Sequence, residues 1–353
     1  MENVLILFGG VSSEHDVSVV SAASVISNLK ADRYNLFLMG ITKEGEWYLY
    51  EDAVDLLPED RWVNSEKKTT AFVSPDRSIH GITVLRENGA ENIRIDVAFP
   101  VLHGKNGEDG TIQGLLQLAG IPFVGCDMTS SAVSMDKIFT NMVADRVQIP
   151  QADWDYLTEY EYKNGLKGLD DIERTLAYPI FVKPSNAGSS VGITKAHNRE
   201  ELESALQLAL QHDSRVLFEA FIDGFEVECS ILGNDDLQNG VVGQITPANE
   251  FYDYNAKYDN AASLLHIPAL VPEETRKEVA AQAKKVFKAL GCTGFSRVDF
   301  FVTKKDGKVL FNEINTIPGF TSISMYPKMM EAAGLPYSDL LDRLLQLAQE
   351  KWS

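Results

Sequence analysis

Four polar side chains near the end of the chain have the types and spacing of a metal site. Arg297 and Asp299 lie in one apolar segment. Glu313 and Asn315 lie in the next, beyond the hairpin turn signal Asp306-Gly307. Because side chains alternate along a strand, we expect Asp299 to lie almost opposite Glu313, with the other two beside them. Carboxylate and amide oxygens suit Mg²⁺ held alongside nucleotide phosphates; the alternative is an ordinary ladder of surface ion pairs.

A glycine- and serine-rich segment with a lysine at its start predicts a phosphate-binding loop. Lys183 ends a predicted strand, and Gly188 and Gly192 let the following backbone turn its N–H groups inward. Ser189 and Ser190 add hydroxyl donors to the positive charge of the lysine. The chain lacks the Walker A spacing, so this is not a loop of that type. An ordinary surface turn is the alternative.

Glu14 and His103 follow strands at places where open α/β sheets bind ligands. Glu14 comes just after Gly9-Gly10, and a carboxylate there would repel a phosphate but would suit an ammonium group. The alternative is a carboxylate that interacts only with a helix dipole. His103 ends a strand and begins a glycine-rich loop, where it either touches a ligand or serves the structure alone. No G-x-G-x-x-G sequence supports a dinucleotide site.

The segment Phe251–Tyr258 is aromatic but lies within polar sequence, and it includes Lys257. Exposed aromatic loops of this kind often close over a ligand and exclude water. We therefore predict a lid. The alternative is an aromatic patch that pins the loop to the core.

Length and composition indicate the class of protein. A chain of 353 residues is long enough for two or three compact modules. The net charge of −19 argues against a nucleic-acid-binding surface, which needs clustered lysine and arginine. The three cysteines form no CxxC pair and indicate a reducing compartment. No apolar run approaches the ~20 residues of a membrane span, and no signal-peptide pattern begins the chain, so we expect a cytoplasmic enzyme without membrane contact.

The hydrophobic pattern predicts the elements that must position these residues. The apolar run Val4–Phe8, the turn at Gly9-Gly10 and a helical stripe from Val19 to Leu29 predict the opening of an open α/β sheet. Further strands are predicted at Leu36–Ile41, Ile93–Val101, Ile121–Val124, Tyr178–Val182, Val216–Ala220, Glu226–Leu232 and Val241–Thr246. Helices are predicted at Ser131–Ala144, at Glu200–Leu210 and along the stripe Val279–Leu290, with Gly291 as C-terminal cap. The stretch from about 52 to 91 is polar and has no clear pattern.

Breaks near Gly125 and at Asp223-Gly224 divide these elements into three domains. We predict a Rossmann-like N-terminal domain over residues 1–125 and a central domain over residues 126–222. A C-terminal domain over residues 223–353 would carry the hairpin and the aromatic loop. The predicted fold class is α/β, built from α+β modules.

Eight motifs occur in one order along the chain. They are Gly9-Gly10-x-Ser12-x-Glu14-His15-x-Val17-Ser18, His103-Gly104-x-x-Gly107-Glu108-Asp109-Gly110, Met135-Asp136-Lys137, Lys183-Pro184 through Gly192, Glu219 through Glu226, Tyr252-Asp253-Tyr254-x-Ala256-Lys257-Tyr258, Arg297-x-Asp299, and Asn312-Glu313-x-Asn315-Thr316-x-Pro318-Gly319-Phe320-Thr321. Together they resemble the D-alanine–D-alanine ligases of the ATP-grasp superfamily, in that family's order from near residue 4 to about residue 345. Residues 45–92 match least. The resemblance implies an ATP-grasp fold in which a Rossmann-like sheet precedes two α+β domains that clasp ATP.

The resemblance also implies an activity, which is the joining of two D-alanine molecules with ATP for peptidoglycan precursor synthesis. The first carboxylate would become an acyl phosphate, and the amine of the second amino acid would attack it. The enzyme would be a cytoplasmic homodimer with two Mg²⁺, or Mn²⁺ in their place, held by Asp299, Glu313 and Asn315. The implied ATP-binding residues are Lys137, Lys183, Ser189, Ser190, Glu219, Ala220, Phe221, Ile222, Glu226 and Lys257.

The same resemblance assigns the amino-acid sites. Glu14 would bind the first ammonium group and connect to Ser189 and Tyr258. His103 and Arg297 would steady the reacting carboxylate and the oxyanion that follows. The implied substrate-binding residues are Glu14, His103, Lys257, Gly319, Ser324 and Met325.

Two positions bear on the second substrate. Relatives that use D-lactate replace the tyrosine at Tyr258 by histidine, and relatives that use D-serine often carry arginine at Met325; here both have the alanine type. The segments 100–105 and 320–324 nevertheless also resemble serine-using relatives. The sequence therefore predicts D-alanine, with D-serine as the alternative and D-lactate less favoured. A non-catalytic ATP-grasp nucleotide-binding protein is a remote alternative, because no motif acid or arginine is missing.

Overall fold

A computed structural model describes residues 1–188, 191–246, 264–321 and 323–352. The chain begins with a seven-stranded sheet in the order β6-β5-β4-β3-β2-β1-β7. Its strands are β1 (Glu2–Gly9), β2 (Tyr34–Ile41), β3 (Trp47–Tyr50), β4 (Lys68–Val73), β5 (Gly81–Arg86), β6 (Gly89–Arg94) and β7 (Val97–Val101). Helices α1 (His15–Asn28) and α2 (Thr111–Ala119) accompany it. Strand β1 lies between β2 and the edge strand β7 and pairs in parallel with both. Its apolar run is continuous because residues 4–8 are wholly buried.

Three predictions for this first module were wrong or incomplete. The predicted strand Ile93–Val101 is two strands, β6 and β7, separated by residues 95 and 96. The predicted strand Ile121–Val124 contributes only an isolated bridge between Phe123 and Ala98. The stretch from 52 to 91 holds β4, β5 and the start of β6, which pair antiparallel. Strand β6 is almost entirely exposed, so it has no apolar alternation by which the sequence could reveal it.

The middle of the chain forms a four-stranded antiparallel sheet in the order β10-β9-β11-β8. Its strands are β8 (Trp154–Thr158), β9 (Ile180–Pro184), β10 (Thr194–Ala196) and β11 (Arg215–Ala220). The helices of this part are α3 (Met128–Met135), α4 (Lys137–Arg146), α5 (Glu159–Lys163), α6 (Leu169–Thr175) and α7 (Arg199–Ala209). The single helix predicted at Ser131–Ala144 is therefore wrong. Asp136 breaks it with an extended backbone and caps α4, accepting a hydrogen bond from the Phe139 N–H at 3.1 Å.

The last part holds a six-stranded sheet with the path β15-β14-β12-β16-β17, and β13 pairs with β12. Its strands are β12 (Gly224–Leu232), β13 (Gln238–Asn239), β14 (Gly243–Thr246), β15 (Leu264–His266), β16 (Phe295–Thr303) and β17 (Val309–Asn315). The helices are α8 (Glu273–Ala289), α9 (Met325–Ala332) and α10 (Tyr337–Trp352). Gly291 follows α8 with a φ of +70°, as the predicted cap requires.

The C-terminal helix α10 packs back onto the first sheet. One apolar cluster contains Val4 and Phe8 of β1 together with Leu340 and Leu344 of α10. Beside it the buried Asp342 carboxylate accepts hydrogen bonds from Lys30 at 2.7 Å, Arg33 at 2.6 Å and the Tyr34 hydroxyl at 3.0 Å. These contacts fix the C-terminal helix against the first sheet and the segment that precedes β2. Over the described parts of the chain, no helix is long and apolar enough to cross a membrane.

Candidate active site

A cavity of about 540 Å³ lies where the three sheets meet. All of the predicted site residues that the structure describes line it. They are Glu14, His103, Lys137, Lys183, Glu219, Ala220, Phe221, Ile222, Glu226, Arg297, Asp299, Glu313, Asn315, Gly319, Ser324 and Met325. Ser189, Ser190, Lys257 and Tyr258 lie outside the described residues, as does the whole of the predicted lid, Phe251–Tyr258. Segments from Glu14 to Tyr326 therefore contribute to one concave site, which is typical of a ligand pocket.

The hairpin of β16 and β17 presents the predicted metal ligands on one face. Asp299 pairs with Glu313, and Arg297 pairs with Asn315, so all four side chains project to the same side. The register shifts between Asp299 and Phe300, because Asn312 is an extra residue in β17. Without this bulge Glu313 would pair with Val298, which points into the core, and the two carboxylates would lie on opposite faces.

The donor set of this face fits Mg²⁺. Asp299 and Glu313 provide carboxylate oxygens, and the Asn315 side-chain oxygen accepts a hydrogen bond from the Ile317 N–H at 3.0 Å, which orients the amide. Hard oxygen ligands from only a few side chains suit Mg²⁺, which retains water and phosphate oxygens as its other ligands. These three residues are therefore chemically suited to hold the metal that the family resemblance implies.

Arg297 makes a two-pronged ion pair with one of these acids. Its Nε donates to Asp299 Oδ1 at 2.8 Å, and its second nitrogen donates to Oδ2 at 2.7 Å. Glu228 lies on the other side, with Oε2 at 3.3 Å from Nε. Burial acts to lower the pKa of Arg297, but the charges of Asp299 and Glu228 outweigh it and raise the pKa well above its usual value. A permanent positive charge thus faces the cavity.

Two lysines that reach the cavity are matched by carboxylates. Lys137 donates to the Ala187 carbonyl at 2.9 Å and lies 3.8 Å from Glu313 Oε2. Lys183 forms a close ion pair with Glu219. Burial acts to lower the pKa of Lys183, but the negative charge of Glu219 outweighs it, so the pKa is raised. Without a ligand each buried cation is neutralised by the protein itself, which avoids an uncompensated buried charge. A phosphate entering here would compete with these carboxylates.

Asp136 holds the two lysine-bearing segments together, a role that the sequence analysis did not assign. Its buried carboxylate accepts a hydrogen bond from Ser185 Oγ at 2.7 Å and another from Asn186 Nδ2 at 3.2 Å. It also pairs closely with Arg215 of β11. The same residue caps α4, whose first residue is Lys137. The loop after Lys183 is therefore fixed relative to α4. An aspartate directly before a helix is a recognisable N-cap signal. It was overlooked because one continuous helix was predicted over Ser131–Ala144, with Asp136 inside it.

Glu14 lies at the other end of the cavity, just before the first turn of α1. It is 8% exposed, and its side chain does not cap the helix. Loops from two modules close around its carboxylate. A methyl group placed on Gly104 or on Gly188 would lie 2.5 Å or 2.9 Å from Glu14 Oε2. A larger residue at either position would have to displace the Glu14 carboxylate, so the two glycines leave that carboxylate facing a confined polar pocket.

Two further groups surround this carboxylate. His103 is buried, with Nδ1 at 2.9 Å from the Ile317 carbonyl and Nε2 at 3.2 Å from Ser21 Oγ. Burial lowers the pKa of His103, so the imidazole is neutral near pH 7. Glu108, which the motif contains but to which the sequence analysis gave no role, accepts a hydrogen bond from the Gly104 N–H at 2.6 Å. Burial and then the charge of Glu14 raise the pKa of Glu108 to about 8.

The remaining wall of the cavity is built by the turn before α9. The Thr321 N–H donates to Ser324 Oγ at 3.0 Å, and the hydroxyls of the two residues lie 2.8 Å apart. A methyl group on Gly319 would lie 2.8 Å from the same Oγ. Met325 follows as the first residue of α9 and is 7% exposed. This end of the cavity therefore combines hydroxyl groups, a helix N-terminus and the apolar Met325 side chain. These groups suit an amino acid that has a free carboxylate and a small side chain.

Comparisons with known proteins agree over the whole chain. The family model described as D-ala D-ala ligase N-terminus matches residues 3–126, and the model described as D-ala D-ala ligase C-terminus matches residues 143–346. The D-alanine–D-alanine ligase of Acetivibrio thermocellus is 49% identical over 364 residues, which cover 100% of this chain and 97% of the relative. That of Caldicellulosiruptor bescii is 49% identical over 350 residues, which cover 99% and 95%.

Solved structures give the same family. The VanG D-Ala:D-Ser ligase from Enterococcus faecalis is 42% identical with a TM-score of 0.90, covering 98% of this chain and 99% of that one. The D-alanine–D-alanine ligase from Coxiella burnetii is 34% identical with a TM-score of 0.86, covering 99% and 94%. The ATP-grasp fold that the motifs predicted is confirmed. The chain belongs to the D-alanine–D-alanine ligase family, a family of ATP-dependent ligases.

Proposed function

We propose that this protein joins two D-alanine molecules into D-alanyl-D-alanine with ATP, through an acyl phosphate intermediate. The observation that carries the proposal is the make-up of the cavity. A carboxylate suited to an amine, Glu14, lines the same 540 Å³ space as two lysines and a pair of hairpin acids suited to phosphate and Mg²⁺. The names of the relatives at 49% identity support the same reaction.

ATP would occupy the side of the cavity formed by the central sheet and the hairpin. We assign the phosphates to Lys137 and Lys183, the adenine to the strand end Glu219–Ile222, and the ribose to Glu226. Bound Mg²⁺ on the hairpin acids would neutralise the charge of the transferred phosphoryl group. The protein supplies positioning and fixed charge, which are the main contributions that phosphoryl transfer requires.

The two amino acids would bind at opposite ends of the remaining space. Glu14 would hold the first ammonium group, and His103 would lie beside the first carboxylate and steady it, with its own Nδ1–H donated to the Ile317 carbonyl. Arg297 would stabilise the anionic tetrahedral intermediate that forms when the second amine attacks, because its charge is permanent and its position is fixed by two carboxylates. Gly319 and Ser324 would face the second carboxylate, and Met325 would contact the second side chain.

Closure would protect the acyl phosphate from water. We assign this role to the aromatic loop with Lys257 and Tyr258, and a connecting role between loop and substrate to Ser189, with Ser190 beside it on the phosphate. The product would enter peptidoglycan precursor synthesis in the cytoplasm, and the enzyme would act as a homodimer with two Mg²⁺. Light scattering coupled to size exclusion would test the dimer, and a single monomeric peak would overturn it.

D-serine is the second candidate for the second substrate, because the similarity to the VanG D-Ala:D-Ser ligase extends over nearly the whole chain. Met325 favours D-alanine, since it offers no polar partner to a serine hydroxyl. An apolar pocket nevertheless rejects an added hydroxyl only weakly. We therefore expect some D-serine to be accepted at high concentration.

The test is ADP release with D-alanine alone and then with D-serine or D-lactate added, with each product identified by mass. We expect D-alanyl-D-alanine to form and the added competitor to divert little of it. A mixed product that dominates would mean a ligase of the resistance type. Binding of ATP with no ADP release under any of these conditions would indicate a non-catalytic nucleotide-binding protein.

A further inference from the structure

Gly243 of β14 lies directly behind Met325, on the side away from the cavity. A methyl group placed on Gly243 would lie 2.3 Å from Met325 Cε, 3.2 Å from Met329 Sδ and 3.4 Å from an atom of Ile267. Gly243 sits in a regular strand, where it pairs with Glu228 of β12, and its φ is not in the left-handed region. A larger residue at this position is therefore opposed by the end of the Met325 side chain and not by the backbone conformation.

The Met325 side chain is confined between this strand and the cavity. It packs with Ile245 of β14 and Met329 of its own helix in a small apolar cluster. Its other side lines the cavity next to Ser324 and Gly319. The Met325 side chain therefore forms part of the apolar wall at this end of the cavity, and the absence of a Cβ at Gly243 leaves room for its terminal methyl group.

We propose that Gly243 is a specificity-determining residue for the side chain of the second amino acid, and that it acts by positioning Met325. This inference rests on the proposed function, in which Met325 contacts the second substrate. The chemical class concerned is small D-amino acids that differ in side-chain size, namely methyl, hydroxymethyl and ethyl. Gly243 does not line the cavity itself, so any effect of it on substrate choice must pass through its neighbour.

The expected effect of Gly243→Ala follows from the distances. The added methyl would lie 2.3 Å from Met325 Cε, about 1 Å closer than ordinary contact allows. Met325 Cε is the far end of an unbranched flexible side chain, so it moves more readily than the strand does. Met329 and Ile267 also lie close to the added methyl group, so we expect the displaced Met325 side chain to take up space on the cavity side. In an apolar pocket, a difference of one methylene group changes the preference between two substrates by about 10- to 200-fold.

The experiment compares products when D-alanine competes with D-serine or with D-2-aminobutyrate. The proteins are the wild type, Gly243→Ala, Met325→Ala and the double variant. We expect Gly243→Ala to reduce incorporation of the two larger acceptors relative to D-alanine by at least about tenfold, with the KM for ATP unchanged. Met325→Ala should increase their incorporation. In the double variant the shortened side chain at position 325 leaves room for the added methyl group, so the protein should fold. Its ratio of mixed product to D-alanyl-D-alanine should match that of Met325→Ala within twofold.

Gly168→Ala is the matched control. No atom lies within 4 Å of a methyl group at that position, which is the N-cap of α6 and does not line the cavity, so the product ratio should stay at the wild-type value. A wild-type ratio in Gly243→Ala, or the same tenfold change when Met325 is already alanine, would overturn the inference. A wild type that releases no ADP with D-alanine would instead overturn the proposed function, so the two failures are distinguishable.

Discussion

Replacing Glu108 by glutamine should remove a destabilisation that grows with pH. Glu108 is 8% exposed, and burial and then the charge of Glu14 raise its pKa from 4.5 to about 8. Between these two pH values the folded protein binds a proton at this carboxyl that the unfolded chain does not bind. The contribution of Glu108 to stability is therefore fully present below pH 4.5 and is lost as the pH rises towards 8. Glutamine keeps an acceptor for the Gly104 N–H and has no proton to lose.

The size of the effect follows from the pKa shift. Each pH unit between the unfolded-state and folded-state pKa values of Glu108 lowers the unfolding free energy by about 1.4 kcal/mol. The interval from 4.5 to about 8 then sets an upper limit of about 5 kcal/mol. With an unfolding entropy of about 2 cal/mol/K per residue, 353 residues give a midpoint shift of at most about 6–7 °C.

Thermal unfolding midpoints of the wild type and Glu108→Gln should be measured at pH 5, 6, 7, 8 and 9. We expect the midpoint of the variant, relative to the wild type, to rise by several degrees between pH 5 and pH 8 and then to level off. Glu87→Gln, an exposed change in the turn after β5, is the control and should give a constant difference. A difference between Glu108→Gln and the wild type that is also independent of pH would refute the reasoning.

Three further outcomes are expected. Asp136→Asn keeps the shape of the side chain but removes the charge that faces Arg215. Denaturant unfolding should show a loss of about 2 kcal/mol in unfolding free energy, and calorimetry should show weaker ATP binding. Unchanged ATP affinity would contradict the role of Asp136 in holding the two lysine-bearing segments together. Asp299→Asn should move the Mg²⁺ titration of turnover to at least about tenfold higher concentration, and an unaltered titration would remove the metal assignment. Glu14→Gln should raise the KM of the first D-alanine by about 10- to 100-fold, as for the loss of a charged hydrogen bond, while the KM for ATP stays constant; equal increases would exclude the ammonium-binding role.

Much of the site could be predicted because its groups lie in short local patterns. The turn at Asp306-Gly307 and the alternation around it were enough to predict the hairpin of β16 and β17 and the closeness of its two acids, although the exact pairing of Asp299 with Glu313 also needs the bulge at Asn312. The run Val4–Phe8 followed by Gly9-Gly10 likewise indicated β1 and the start of α1. In both cases the deciding interactions are between residues close in sequence, so the pattern and the structure have the same cause.

Elements without a local pattern were missed. Strand β6 has almost no buried face, so its strand state comes from pairing with β5 and not from its own side chains. The break at Asp136 was missed because the apolar residues on either side continue a helical spacing. What ends α3 there is a carboxylate held by Ser185 and Arg215, some 50 and 79 residues further along the chain.

By itself the sequence determined the family, the order of the modules and which acids, lysines and glycines reach the cavity. Only the tertiary structure decided how those groups meet. The extra residue Asn312 in β17 turns Glu313 to the face of Asp299, Gly188 of a distant loop closes on Glu14, and Gly243 limits the position of Met325. The physical reason is that strand register and close backbone contacts depend on packing between segments far apart in the chain, whereas turn and strand preferences act over a few residues.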